Sequence, residues 1–490
     1  MGREPSHEHE RNIPNTNSFN LPLNNWIVGN VEDMSYMFYS SKFNQPIGNW
    51  NVSKVTNMAG MFGQSEFNQP IGNWVVDNVT NMSEMFFRHR TFNQPLNTWN
   101  VTNVTNMSGM FDGWIWNGVF NQPLDNWDVS NVTNMSYMFR DTDNFNQDIT
   151  GWNVSKVTNM KGMFNGAKVF NQGIGNWIVS AVTDMSEMFQ NAPLFNQPLN
   201  NWTVGNVTLM NNMFLGALAF DQPLDNWVVT NVTNMNSMFR GAAVFNQSLT
   251  TWNTSNVSNM GRLFQEATAF DQNLASWSIG IVSNMDNMLS DSGMSQTNYD
   301  NTLIGWEAQT VQSNLNLGAL NLTYCDGRDA RQNLIDNFNW NISGDAINCS
   351  FVLCAEITMP AAGDTQVPAN SDIRWNPVPN ATGYKVTVTR DSGSGSVEVY
   401  NQTLGPSIVG VDFTNEFSPG DEVSALVIPF NDEGDAVGCS PITFTVVESW
   451  VNSPDAFKLT YDTSLTDYKS THGQSIKNRG QYGLPRLLHL

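Results

Sequence analysis

Apolar residues return in a fixed order along the first 290 residues of the chain. In the stretch FNQPLDNWDVSNVTNMSYMF, residues 120–139, they are Phe120, Leu124, Trp127, Val129, Val132, Met135, Met138 and Phe139. From Val132 to Phe139 the spacings are three, three and one, which places these side chains on one stripe and predicts a short helix. Ser130 or Thr133 is the expected cap at its start. The first part, FNQPL, contains a proline that cannot donate a ladder hydrogen bond, so it predicts a brief extended segment or turn.

The phrase recurs. Its tryptophans are Trp26, Trp50, Trp74, Trp99, Trp127, Trp152, Trp177, Trp202, Trp227, Trp252 and Trp277, at steps of 24 or 25 residues with one of 28. A fixed period of this length predicts a solenoid of eleven coils over residues 19–290, each coil a short strand plus a short helix in the style of leucine-rich repeats. Isolated, one such unit has too little apolar surface to fold, so stacking has to bury its two faces.

Methionine pairs such as Met58/Met61, Met82/Met85, Met107/Met110 and Met160/Met163 share the phase of the apolar stripe. Leu263 and Leu289 take corresponding places, so the thioethers are expected in the core and not on a metal. Asn44, Asn68, Asn93, Asn121, Asn146, Asn171, Asn196 and Asn246 occupy another phase, with Asp221 and Asp271 replacing them. A side-chain oxygen there is expected to satisfy backbone donors at a tight bend, forming an inner polar ladder. The Asn-Val-Thr and Asn-Val-Ser triplets match the glycosylation acceptor pattern, but the repeat itself generates them.

The phrase MFxGAxxFNQPLxxWxVSNVTNMxxMF, as in residues 188–214 and 213–239, resembles the repeat of bacterial surface proteins called BspA-like leucine-rich repeat proteins. The resemblance covers roughly residues 19–290. It implies an extracellular or cell-surface protein with an adhesive role, and it supplies no catalytic residues. Residues 1–18 carry no apolar stretch resembling a secretion signal and read as a disordered or truncated N-terminus.

Beyond the repeats the composition shifts. TNYDNTLIGWEAQ and DARQNLIDNFNW read as amphipathic helices of a solenoid cap over residues 291–350, and a disulfide between Cys325 and Cys349 could tie the loop they enclose. Residues 351–448 alternate in the manner of strands, as in YKVTVTR and EVSALVIPF, with turn signals between them. Trp375 in DIRWNPVPNATGYKVTV is similar to the core tryptophan of a fibronectin type III domain, which implies an immunoglobulin-like β-sandwich acting as spacer or binding module. Val423 stands where that family carries a corner tyrosine. Cys354 and Cys439 could pin the first strand of this segment to the last, although four cysteines allow three pairings. Residues 449–490 read as a disordered tail. From Lys469 onward it has four basic residues and no acidic one, which suits either a frameshifted or vector-derived end or a small basic tail.

Charge narrows the partners. With 44 acidic against 22 basic residues and a net charge of −22, the chain repels nucleic acid and anionic membranes, and no run reaches the length of a membrane span. Four of the five histidines lie near the termini, at His7, His9, His472 and His489. The fifth, His89 in FFRHRT, reads as a solvated loop residue, which leaves no catalytic or two-histidine metal arrangement. DTDNFNQD at 141–148 lacks the glycine and spacing of a calcium loop, and Gly393 and Gly395 mark a hairpin turn. The expectation is a non-enzyme without cofactor or metal.

Binding should then come from what varies between coils. The residue after each tryptophan is Ile27, Asn51, Val75, Asn100, Asp128, Asn153, Ile178, Thr203, Val228, Asn253 and Ser278, a row that tolerates any character; Asn100, Asp128 and Asn153 are candidate ligand-binding residues within it. The long step between Trp99 and Trp127 holds DGWIWNGV, whose Trp114 and Trp116 read either as contact anchors for a protein or a sugar ring or as a plug for the bulge. Three functions follow: a surface scaffold binding a protein or matrix ligand in adhesion, a carbohydrate-binding module of the cell envelope, or an intracellular interaction scaffold.

Overall fold

The computed structural model describes residues 18–115, 117–349, 352–413, 416–432 and 434–447. The chain divides between Asn348 and Cys349 into two compact units. In the first, tandem repeats are joined by single parallel bridges running Asp33, Asn57, Asn81, Asn106, Asn134, Asn159, Asp184, Leu209, Asn234, Asn259 and Asn284. The apolar positions of each repeat are buried in one continuous core: Val132, Met135, Met138, Phe139, Leu124 and Trp127 of one repeat pack among the same phases of its neighbours.

The expected short helix is absent from the described residues of the repeats. Its place is taken by a run of turns in which every second N–H leaves the coil. Met58, Gly60, Phe62 and Gln64 donate to the carbonyls of Asn81, Ser83, Met85 and Phe87 in the next coil, at 2.9, 2.8, 2.9 and 2.6 Å, while Met61 and Gly63 bond back three residues within their own coil. Two residues four apart adopt positive φ, Gly60 at 60° and Gln64 at 56°, and the pattern repeats at Glu84 and Arg88, Tyr137 and Asp141, and Glu187 and Asn191. A right-handed helix keeps φ negative throughout. The spacing of three, three and one therefore belongs to a backbone that alternates hand, with all four inter-coil donors facing one way.

The asparagine ladder crosses coils and does not close a bend. Asn44 Oδ1 accepts from the backbone N–H of Asn68 at 2.9 Å and from Gln69 Nε2 at 3.0 Å, and Asp221 serves Asn246 and Gln247 in the same manner. It runs along the surface, with its members exposed or half-buried. The tryptophans form a second ladder: Trp152 Nε1 donates to Leu124 O at 3.1 Å and Trp177 Nε1 to Ile149 O at 3.2 Å. Their indoles stack at 6.4 Å between centroids, and Phe139 stacks on Phe145 at 3.9 Å and on Phe164 at 5.9 Å.

Among the described residues, a strand followed or preceded by a helix occurs only past the last repeat. There α1 (Gln296–Glu307), β1 (Asn316–Gly318), β2 (Thr323–Tyr324), α2 (Arg328–Phe338), β3 (Asn341–Ser343) and β4 (Ala346–Ile347) follow in order. β1 pairs in parallel with β3 and β2 with β4, and Met285 bridges to Leu317, so the ladder of the repeats passes into these elements. Ser295 caps α1 through its side chain. At the start of α2 the buried Asp300 carboxylate accepts from the N–H groups of Cys325, Asp326 and Gly327 at 2.9 to 3.0 Å, where the helix dipole favours negative charge. Arg331 grips Asp345 with two bonds of 2.7 Å, and Tyr299 donates to the same carboxylate at 2.9 Å.

The second unit is β-rich. Its strands are β5 (Ile357–Met359), β6 (Val367–Pro368), β7 (Ile373–Trp375), β8 (Gly383–Asp391), β9 (Ser396–Leu404), β10 (Gly410–Val411), β11 (Glu422–Asn431), β12 (Gly434–Asp435) and β13 (Ile442–Val447). One sheet has the order β6-β13-β11-β8-β9 with β12 beside β11, the other β10-β7-β5. The alternation of β11 buries Val423, Ala425 and Val427 on one face. They join Ile373, Trp375 and Tyr384 in a core drawn from both sheets. Tyr384 packs edge-on against Trp375 and accepts from the Val378 N–H at 3.0 Å. Asp391 Oδ1 accepts from Gly393 and Gly395, both at positive φ, in the β8–β9 turn. Cys354 is bonded to Cys439 with an S–S distance of 2.08 Å, and Cys325 and Cys349 are disulfide-bonded as well.

Candidate ligand-binding surface

The row after the tryptophans is exposed from Ile27 to Asn253, and only Ser278 at its end is half-buried. The coil holds each position in place while leaving its side chain in solvent: Trp177 and Trp227 are buried, whereas Ile178 and Val228 are each 60% exposed. Where the row carries Asn or Asp, the side chain turns back on its own backbone. Asn100 Oδ1 accepts from Thr102 N and Oγ1 at 3.3 and 2.8 Å, Asp128 Oδ1 from Ser130 N at 3.0 Å, and Asn153 Oδ1 from Ser155 N at 3.2 Å. The Ser130 side chain and backbone bonds hold the Asp128 carboxyl below its ordinary range. These three sites are therefore presented together but partly self-satisfied.

Two grooves open along the row in later coils. One of about 210 Å³ lies between Trp177 and the following coil, lined by Asn176, Ile178, Asn201 and Thr203 among others. The next, about 530 Å³, is lined by Asn201, Trp202, Thr203, Asn226 and Val228 among others. Neither contains a charged lining residue. The residue before the tryptophan was not singled out from the sequence, although the recurring Asn-Trp pair marks it.

The insert between Trp99 and Trp127 forms a cluster of stacked cations and rings. The Arg140 guanidinium lies 3.8 Å over the Trp114 ring and 4.1 Å over that of Tyr137, while Arg88 sits 5.3 Å from the Trp114 ring. Arg140 also binds the buried Asp112 in bidentate fashion, Nε to Oδ1 at 3.0 Å and Nη2 to Oδ2 at 2.5 Å. Burial pushes the Asp112 carboxyl up to about 6 against the pull of Arg140. Trp114 is thus half-buried between two guanidinium groups, and the apolar tip of the insert is Ile115, 72% exposed. Trp116 lies outside the described residues.

His89 corrects the sequence expectation. It is a core residue, not a solvated one: Nδ1 accepts from the Phe92 N–H at 3.0 Å, Nε2 meets Ser65 Oγ at 3.2 Å, and burial drops its pKa to about 3. Ser41 and Ser65 are buried at the same phase of earlier coils, as are Thr142 and Ala167 later. The Asn-Val-Thr triplets are engaged too, with Asn103 Nδ2 donating to Asp77 O and Asn131 Nδ2 to Thr102 O. Among the described residues no helix is long and apolar enough to cross a membrane, and no group of three metal-ligating side chains converges. The two disulfides indicate an oxidising, extracellular environment.

No curated protein matches this chain. Three segments in tandem, residues 9–117, 114–227 and 195–302, match the family described as Mycoplasma protein of unknown function, DUF285. Together they span more than half of the 490 residues and the whole series of tryptophan-marked coils, and the chain belongs to that family.

Proposed function

We propose that this chain is a non-catalytic cell-surface or secreted scaffold, in which a solenoid of eleven coils with a cap over residues 291–350 presents a ligand-binding row and a fibronectin III-like sandwich over residues 351–448 serves as spacer. The observation that carries the reading is the contrast between adjacent positions: each tryptophan is repeated and, beyond the first, buried, while its successor is exposed in all coils but the last and never the same in two adjacent coils. A fixed backbone with a variable exposed row is how repeat proteins build extended recognition surfaces. The ligand is a protein or matrix component bound in adhesion, in keeping with the resemblance to BspA-like surface proteins. Four disulfide-bonded cysteines weigh against an intracellular scaffold.

The test is to immobilise the native protein and probe it with arrays of matrix proteins and glycans, then repeat with Ile178→Lys/Val228→Lys. Loss of binding in a variant with unchanged melting temperature supports the row as the ligand surface. Undiminished binding by the variant, or binding that follows the sandwich unit alone, overturns it.

A further inference from the structure

We infer that the coils of Trp177, Trp202 and Trp227 bind a linear neutral polysaccharide laid along the row, about one sugar per coil. This rests on the row being the ligand surface. The observation is a difference between coils at the position just before the tryptophan. In the coils of Trp50, Trp74 and Trp99 the side chain there is tied to the neighbouring backbone: Asn49 Nδ2 donates to Asn24 O, Asn73 Nδ2 to Gly48 O and Thr98 Oγ1 to Gly72 O. Asn176, Asn201 and Asn226 are exposed, and their carboxamides have no partner among the described residues. Three free amides in consecutive coils, each offering two donors and an acceptor, stand beside the rail of Ile178, Thr203 and Val228 and border the two grooves.

The chemistry selects the occupant. Carboxamides read hydroxyl groups in both directions, and the apolar rail takes the C–H faces of a sugar ring. A neutral groove on a chain of net charge −22 disfavours uronic, sialylated or sulfated chains. The repeat length also fits: coils advance by about 4.8 Å at the bridging residues and their indoles lie 6.4 Å apart at Trp202–Trp227, a range that contains the length of one pyranose in an extended chain. An extended peptide returns a side chain to the same face only every second residue, about 6.4 to 6.8 Å, well beyond the roughly 4.8 Å advance of the bridging residues.

The experiment is calorimetric titration of the full chain with oligosaccharides of one to six sugars from neutral series: β-1,4-linked glucose, mannose and N-acetylglucosamine, and β-1,3-linked glucose. One series is expected to bind, with affinity rising up to three or four sugars and level beyond. Asn176→Ala/Asn201→Ala/Asn226→Ala, all at exposed positions, should weaken it at least tenfold without moving the melting temperature. Binding to none of the series, stronger binding of a polyuronate, or an unaffected triple variant overturns the inference. If Ile178→Lys/Val228→Lys abolishes capture of a matrix protein while no neutral oligosaccharide binds, this inference fails and the row remains the ligand surface.

Discussion

The ring of Tyr137 lies over Gly162 of the next coil, so close that a Cβ on Gly162 would stand 2.4 Å from Tyr137 Cε1. Gly162 has a φ of 57°, but the same phase holds Tyr137 at 57°, Glu187 at 62° and Arg262 at 57°. Left-handed backbone strains any side chain, yet other coils carry one there, and what singles out glycine is the clash with the tyrosine above it. Gly162→Ala should destabilise the protein by about 1 to 3 kcal/mol through overpacking. In a double-mutant cycle, Tyr137→Ala should remove most of that penalty. An equal loss with and without Tyr137, read from denaturant midpoints, would place the cause in the backbone instead.

Position along the repeats should decide what a tryptophan contributes. Trp152 is buried and stacked on both sides, whereas Trp26, in the first coil, is 54% exposed and stacks only on Trp50 among the described residues. Trp152→Ala should cost about 3 to 5 kcal/mol and Trp26→Ala distinctly less. Equal shifts in chemical denaturation would contradict a core shared between coils.

His89 ties stability to pH. Its folded pKa of about 3 lies below the ordinary 6.5, so its contribution is full above pH 6.5 and is lost as the pH falls from 6.5 toward 3. The loss amounts to several kcal/mol at about 1.4 kcal/mol per pH unit. Asp112 acts in the opposite sense: its folded pKa is raised from 3.8 to about 6, so its burial becomes less unfavourable as the pH falls through 6. His89→Ser, which copies the residue at the same phase of the two preceding coils, should flatten the fall in melting temperature between pH 6.5 and 4. A variant with the same acid profile as the parent would show that His89 does not control it.

The repeat and its core were legible in the sequence because burial of the same phase in every coil imposes one apolar pattern. The conformation of the turn segment was not, since a stripe with spacings of three, three and one suits both a helix and a backbone alternating in hand. The clue lay in the polar positions: Gly162 and Gly166, Asn212 and Gly216, and Ser237 and Gly241 stand four apart, and most are types that tolerate left-handed φ. His89 was misplaced because charged neighbours suggested a loop, while its phase, shared with Ser41 and Ala167, pointed inward. Trp114 was recognised as unusual, but only three-dimensional proximity brings Arg88 and Arg140 to its faces.

In the second unit the Cys354–Cys439 bond spans 85 residues. Closing a loop of that length should stabilise the unit by about 4 to 5 kcal/mol on the chain-entropy account. Replacing both cysteines by serine should lower its unfolding midpoint while leaving that of the repeat unit unchanged. A common shift of both transitions would mean that the two units unfold together.

The donors that leave each coil on one side also give the repeats a mechanical character. When the chain is pulled from its ends, the bonds between coils carry the load one layer at a time, because a coil can peel away while the layers beneath it keep their full set of contacts. Each rupture releases one period, 24 or 25 residues in most of the series, or about 80 to 90 Å of extended chain. The repeats would thus yield in small steps and limit the tension passed to whatever they hold.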